Sequence, residues 1–166
     1  MIGRQGLSIL YEEYEDCRGC EILCGSRIQP VFGQGSCNAD IVFVGEAPGE
    51  AEDEYGELLI GKSGRFLMQL LDKAWPSSDT KMEDIRGIPD NDDYYTALQQ
   101  RLEEFIFFTN SVLCRPPENR TPSQSEVKQC RDRLHKTIYA IDPLMIIAAG
   151  KTAATTVLGK NVSILD

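Results

Sequence analysis

The 166-residue chain is short of positive charge: 17 lysines and arginines stand against 26 aspartates and glutamates, a net charge of −9. That balance argues against a protein that grips nucleic acid by bulk electrostatics, because phosphate contacts need Lys and Arg. The acidity is unevenly spread. Asp72, Asp79, Glu83, Asp84, Asp90, Asp92, Asp93, Glu103 and Glu104 face only Lys73, Lys81, Arg86 and Arg101 in their stretch, so much of it can point away from a nucleic acid. Long apolar runs are also missing. None approaches the ~20 residues of a membrane span, and the stretch before Cys17 has neither a signal h-region nor a cleavage site. Internal repeats and low-complexity tracts are absent. The length allows one proper hydrophobic core and is short for two independent domains. The expectation is therefore one cytosolic domain over 1–166, monomeric and without a membrane partner. In that compartment thiols stay reduced, and the six cysteines read as metal ligands or buried thiols before disulfides.

What is present is the composition of a globular protein, 42% hydrophobic and 26% charged. Short apolar runs alternate with helical stretches. A helix over about 7–16 leads to a cysteine-rich turn, and 40–45 is a continuous apolar run ending in glycine, as in a strand buried on both faces. After the loop 46–49, Ser63 is placed to cap a helix with the apolar face Phe66, Leu67, Leu70 and Leu71. The polar stretch at about 73–104 reads as an acidic insertion, with a turn at 89–92 and a helix over about 94–104. A second strand over 105–109 runs into Asn110. Ser123 and Glu126 have capping-box spacing at the start of a helix reaching about 139. A third strand over 143–150 and a short helix over 152–158 follow. This order predicts an α/β protein with three layers, α/β/α, around a central, mostly parallel sheet. Ligands of such sheets sit at the carboxyl ends of the strands, where Glu46, Asn110 and Gly150 fall. Gly56, Gly61, Lys62 and Ser63 match a phosphate-loop expression, but no buried strand leads into them.

Cys17 and Cys20 form a ligand pair, because two intervening residues let both sulfurs reach one metal or cluster. Cys114 and Cys130 can converge on it from a proline-rich loop and a helix turn. Four thiolates suit zinc or a [4Fe–4S] cluster, and spacing does not choose between them. Cys24 and Cys37 are read as small buried hydrophobes.

Taken together, Cys17-x2-Cys20, the segment 41–53 (IVFVGEAPGEAED), the segment 108–122 (FTNSVLCRPPENRTP) and Glu126-x3-Cys130 resemble the family-4, iron-sulfur uracil-DNA glycosylases. The resemblance covers nearly the whole chain except about 73–104. It implies that Cys17, Cys20, Cys114 and Cys130 hold a [4Fe–4S] cluster in preference to zinc. It further implies base-excision repair by hydrolysis of the bond between uracil and deoxyribose, after the nucleotide is flipped out of uracil-containing DNA. Asn110 is then the base reader, since an amide can donate to uracil O4 and accept from N3–H. Glu46 is the residue that positions the attacking water. Gly45, Ala47, Pro48, Gly49 and Asn119 shape the substrate site, and Glu52 lies near the uracil C5 edge. Arg115 and Arg120 are expected to touch the DNA backbone.

Two departures bear on activity. The aromatic that stacks on uracil in the family is Leu59 here, and the C-terminal His-Pro-Ser motif, whose histidine stabilises the departing base, is not found before Asp166. The single histidine, His135, falls in mid-helix and does not match it. The sheet is accordingly expected to be incomplete at its C-terminus, and the chain to bind better than it cuts. The alternative is a non-catalytic relative that binds DNA or a replication or repair protein through the same fold. A third reading is a thiol-metal structural domain.

Overall fold

Runs of Ile, Val and Phe pack well on a pleated surface, and they build two of the three strands of this protein. The computed structural model describes residues 3–75, 85 and 91–163. Strands β1 (Ile41–Gly45), β2 (Ile106–Asn110) and β3 (Met145–Ala148) form a parallel sheet in the order β2-β1-β3. Ile41 lies opposite Ile106 and Met145, and Gly45 opposite Asn110.

Successive strand residues point to opposite faces, so each apolar run serves two cores. Val42, Val44 and Phe107 join Leu134, Ala140, Ile141 and Ala153 on one face. Ile41, Phe43, Ile106 and Phe108 meet Leu58, Met68, Leu98 and Leu102 on the other. The first face carries α1 (Gly3–Glu15), α6 (Gln124–Ile141) and α7 (Gly150–Leu158), packed in sequence on one another; the second carries α4 (Lys62–Ala74) and α5 (Asp92–Leu102). Three layers result, as expected. Truncating a core aromatic such as Phe107 to alanine costs about 3–5 kcal/mol.

Several boundaries differ from expectation. The residue before α4 is Gly61, with an extended backbone and no side-chain cap, so Ser63 lies inside the first turn and caps nothing. Asn91 caps α5 by accepting from the Tyr94 amide at 3.1 Å, which starts this helix earlier than the apolar pattern suggested. Asn110 is the last residue of β2 itself. The capping box of α6 is present, with the Glu126 carboxylate accepting from the Ser123 amide at 2.7 Å. Two short helices, α2 (Glu21–Ser26) and α3 (Glu50–Tyr55), were not anticipated. The second carries a local signal, Glu52 three residues after Gly49, whose amide it accepts from at 2.7 Å.

Within the stretch read as an insertion, 76–84 and 86–90 lie outside the described residues. Its last helix belongs to the core, since Leu98 and Leu102 are fully buried. Lys62 opens α4 after a turn rather than after a strand, so the phosphate-loop context is missing there. No helix among the described residues is long and apolar enough to cross a membrane.

Candidate functional site

The carboxyl ends of β1 and β2 face a cavity of about 360 Å³, inside the range of about 300–1,000 Å³ usual for small-molecule sites. Gly45, Glu46, Ala47, Glu52, Leu59 and Asn110 all line it. Pro48 and Gly49 stand in the loop behind, Pro48 buried, and Asn119 is exposed away from it.

Asn110 is positioned by three elements. Parallel pairing sets it opposite Gly45, and a β-carbon at position 45 would overlap the Asn110 side-chain oxygen. Glycine is what lets the amide lie across the strand end. Ser111 ties the turn down, its amide and hydroxyl both donating to the Gly45 carbonyl at 2.9 Å. From α6, Arg133 donates to the carbonyls of Asn110 at 2.7 Å and Ser111 at 3.2 Å, and to the Thr109 hydroxyl at 3.1 Å. Arg133 is 1% exposed and its Nε finds no partner among the described residues. Burial lowers its pKa from the ordinary guanidinium value, against the pull of the Cys130 sulfur. Nothing in the sequence marked Arg133: a mid-helix arginine is ordinarily a surface residue.

Glu46 follows β1 into the cavity and accepts a 2.7 Å hydrogen bond from the hydroxyl of Thr152, in the first turn of α7. Sequence reasoning missed Thr152. The available signal was its place just past the end of β3, on the same rim as Glu46 and Asn110.

Glu52 lines the cavity, yet both carboxylate oxygens are engaged with backbone, accepting from the amides of Gly49 at 2.7 Å and Leu59 at 2.6 Å. Geometry thus favours a carboxylate that ties two loops together over one that touches a ligand. Leu59 is held at φ 67, a left-handed conformation costing a branched side chain about 1–2 kcal/mol, and strain of this kind gathers at binding sites. Phe43, Phe66 and Phe108 also face the cavity. Phe66 was assigned only to the core face of its helix, but it is 61% exposed and presents a ring at the cavity mouth.

The two arginines expected to contact a nucleic acid have acidic partners. Arg115 pairs with Glu50 at 3.3 Å and donates to the Asn119 side chain at 2.8 Å. Arg120 makes a two-pronged contact with Glu126 at 2.7 and 2.9 Å. That donation holds the Glu126 carboxyl down at about 2. His135 is exposed on α6, its ring against the carbonyls of Thr156 and Val157 at 3.2 Å, and it is not part of the cavity lining.

The cysteines gather beside the site, in a cluster against which the cavity residue Ala47 packs. Cys20, Cys114 and Cys130 share one buried cluster with Leu23, Val112, Leu113 and Val127, and Cys17 and Cys24 are close enough to act electrostatically on Cys20. Burial pushes Cys20 up to about 12 and Cys114 up to about 11, the latter opposed by Arg27. Arg27 donates to the Cys114 sulfur at 2.9 Å and to the Cys17 carbonyl at 2.8 Å. Cys37 packs against the α1/α6 core, as a small hydrophobe should. Cys24 instead sits with the other thiols, its sulfur against the Cys17 carbonyl at 3.2 Å. Among the described residues, no three His, Cys, Asp or Glu side chains are gathered tightly enough for a single metal ion.

Comparison with known proteins gives this geometry a family. Residues 32–165 match the model of the uracil DNA glycosylase superfamily. The chain is 34% identical over 150 residues to a type-4 uracil-DNA glycosylase of Archaeoglobus fulgidus, covering 90% of this chain and 62% of that protein. It is also 34% identical over 159 residues to a type-4 uracil-DNA glycosylase of Thermotoga maritima, covering 95% of this chain and 69% of that one. A DNA polymerase of Bacillus phage SP01 is 32% identical over 142 residues, 80% of this chain but 13% of the polymerase. The chain spans about three-fifths of the length of the archaeal relatives, between 59% and 62% for three of them. With a matched model over most of its length and relatives of this identity, the chain belongs to the uracil DNA glycosylase superfamily.

Proposed function

We propose that this protein acts in DNA base excision, hydrolysing the N-glycosidic bond of uracil in DNA. The observation that carries the reading is the cavity in which the Asn110 amide, laid over Gly45 and anchored from behind by Arg133, stands with a carboxylate, Glu46, held by Thr152. A flipped-out uracil fits this chemistry. The amide donates to O4 and accepts from N3–H, a pattern cytosine reverses. Glu46, fixed by the Thr152 hydroxyl, holds a water toward the sugar as positive charge develops there. Leu59, Phe43 and Phe66 supply the apolar cover that keeps bulk water from the base.

We further propose that Cys17, Cys20, Cys114 and Cys130 hold a [4Fe–4S] cluster. The donor set supports this: four sulfurs drawn from the N-terminal turn, the loop after β2 and α6, with Arg27 donating to one of them. Four thiolates suit zinc or a [4Fe–4S] cluster, and the choice of the cluster rests on the resemblance to the family-4, iron-sulfur glycosylases. The cluster's contribution when bound is a structural cross-link, since four protein ligands leave no open coordination position.

The test is release of free base from uracil-containing and cytosine-containing oligonucleotides. Uracil release that falls about 10²–10³-fold in Asn110→Ala, together with brown protein bleached by Cys114→Ser, supports both readings; colourless zinc protein overturns the cluster. The match to a phage DNA polymerase favours a second reading, a DNA- or replication-protein-binding relative. Intact, cluster-loaded protein that binds DNA but releases no uracil would select it.

A further inference from the structure

A second cavity, of about 470 Å³, opens between α6 and α7. Its walls carry Lys128, Arg131, Lys151 and Lys160 and, among the described residues, no carboxylate. Four arginines elsewhere are neutralised: Arg65 by Asp92, Arg101 by Glu104, Arg115 by Glu50 and Arg120 by Glu126. The four cations of the cleft make no ion pair among the described residues. In a chain of net charge −9, such a concentration of like charge in one concavity is a local field that a polyanion relieves. The three lysines are exposed, free to swing toward a ligand, whereas Arg131 is half-buried and reaches the Gly159 carbonyl at 3.5 Å. Thr155 adds a neutral donor.

The cleft adjoins the base cavity. Thr152 lines the cleft, and its hydroxyl bonds to Glu46, which lines the other. One side chain pair is therefore the partition between an anion-attracting groove and the candidate reaction site. A strand whose phosphates lie in the groove is held where a flipped nucleotide enters beside Glu46.

We propose that the α6/α7 cleft is a phosphodiester track that holds the DNA backbone next to the base cavity, with Lys128, Lys151 and Lys160 as its phosphate contacts. The identity of the polyanion rests on the base-excision reading; the basic cleft itself does not. Thr121 and Pro122, at the end of the loop that carries Arg115 and Arg120, form part of the cleft wall, but the charge of those two arginines is already matched.

The test is binding of a uracil-free duplex oligonucleotide to the purified full chain, followed by fluorescence anisotropy as salt is raised. Each of Lys128→Gln, Lys151→Gln and Lys160→Gln should weaken binding and reduce the salt slope by about 0.9, and the triple variant by about 2.7. Lys73→Gln, on exposed α4 surface, should leave the slope as it was. A triple variant with the wild-type slope overturns the track, whatever the protein does to uracil. Tight binding of inorganic phosphate, abolished by the same substitutions while the DNA slope stays unchanged, also overturns it, in favour of a small-anion site. Reduced slopes in a protein that releases no uracil would uphold the track and defeat the base-excision reading instead.

Discussion

Thr152 and Glu46, 106 residues apart in the chain, are joined by a 2.7 Å hydrogen bond that fastens the start of α7 to the end of β1. A hydrogen bond to a charged acceptor contributes about 1.5–3 kcal/mol. Thr152→Val keeps the shape and deletes the donor, so the carboxylate is free to leave the orientation in which we propose it aims a water. Steady-state kinetics on a uracil-containing oligonucleotide should show kcat lowered about tenfold or more, with KM little changed. An unaltered kcat would mean that Glu46 is oriented by something else.

Gly45 governs Asn110 by what it lacks. A methyl group in Gly45→Ala collides with the Asn110 side-chain oxygen, and the amide must turn out of the cavity. Uracil release should fall about as far as in Asn110→Ala, while thermal unfolding moves by much less than for a core truncation. Equal release by Gly45→Ala and wild type would show that the amide is not used in the observed position.

Leu59 caps the cavity with an aliphatic surface. Leu59→Phe adds a ring able to stack on a flipped base, an interaction of about 1–3 kcal/mol in single-strand binders. Binding of uracil-containing DNA should tighten by about fivefold or more, read by anisotropy against a thymine-containing control that gains nothing. A loss of affinity would indicate that the ring cannot be seated at the strained position 59, and that Phe43 and Phe66 already provide the cover.

The pair Arg120–Glu126 makes a pH-dependent contribution to stability. The Glu126 carboxyl sits at about 2 in the folded protein against a reference of 4.5, chiefly because Arg120 donates to it. A depressed carboxyl stabilises the fold above its unfolded value, and that stabilisation is lost as pH falls toward the folded value. Urea unfolding of wild type and Arg120→Met should therefore differ at pH 6 to 7, as an experimental choice of about neutral conditions, and converge as pH drops from 4.5 to about 2. A difference independent of pH would assign Arg120 a packing role only.

Several features were legible because their causes are local. Ser123 and Glu126 are three residues apart, so their reciprocal hydrogen bonds follow from the chain alone. The same local logic applied to Gly49 and Glu52, and there the signal was passed over in favour of a ligand contact. The apolar runs at β1 and β2 and the glycine ending β1 also carry their meaning in sequence, because a strand buried on both faces has no polar alternation. Strand order within the chain and the position of Glu46 and Asn110 at strand ends were enough to locate the rim of the site.

What the chain determined by itself was the layered α/β architecture, the strand-end residues and the capping of α6, all set by backbone preferences and apolar patterning over a few residues. Only the tertiary structure decided which charges meet. It sank Arg133 behind Asn110, matched Arg115 and Arg120 with Glu50 and Glu126, brought Cys24 among the thiols and left three lysines and Arg131 around one unpaired cleft. Arg133 behind Asn110, Arg115 on Glu50 and the cleft itself depend on Coulomb and hydrogen-bond contacts that form only when distant segments are packed together, and contacts of that range have no signature in local sequence.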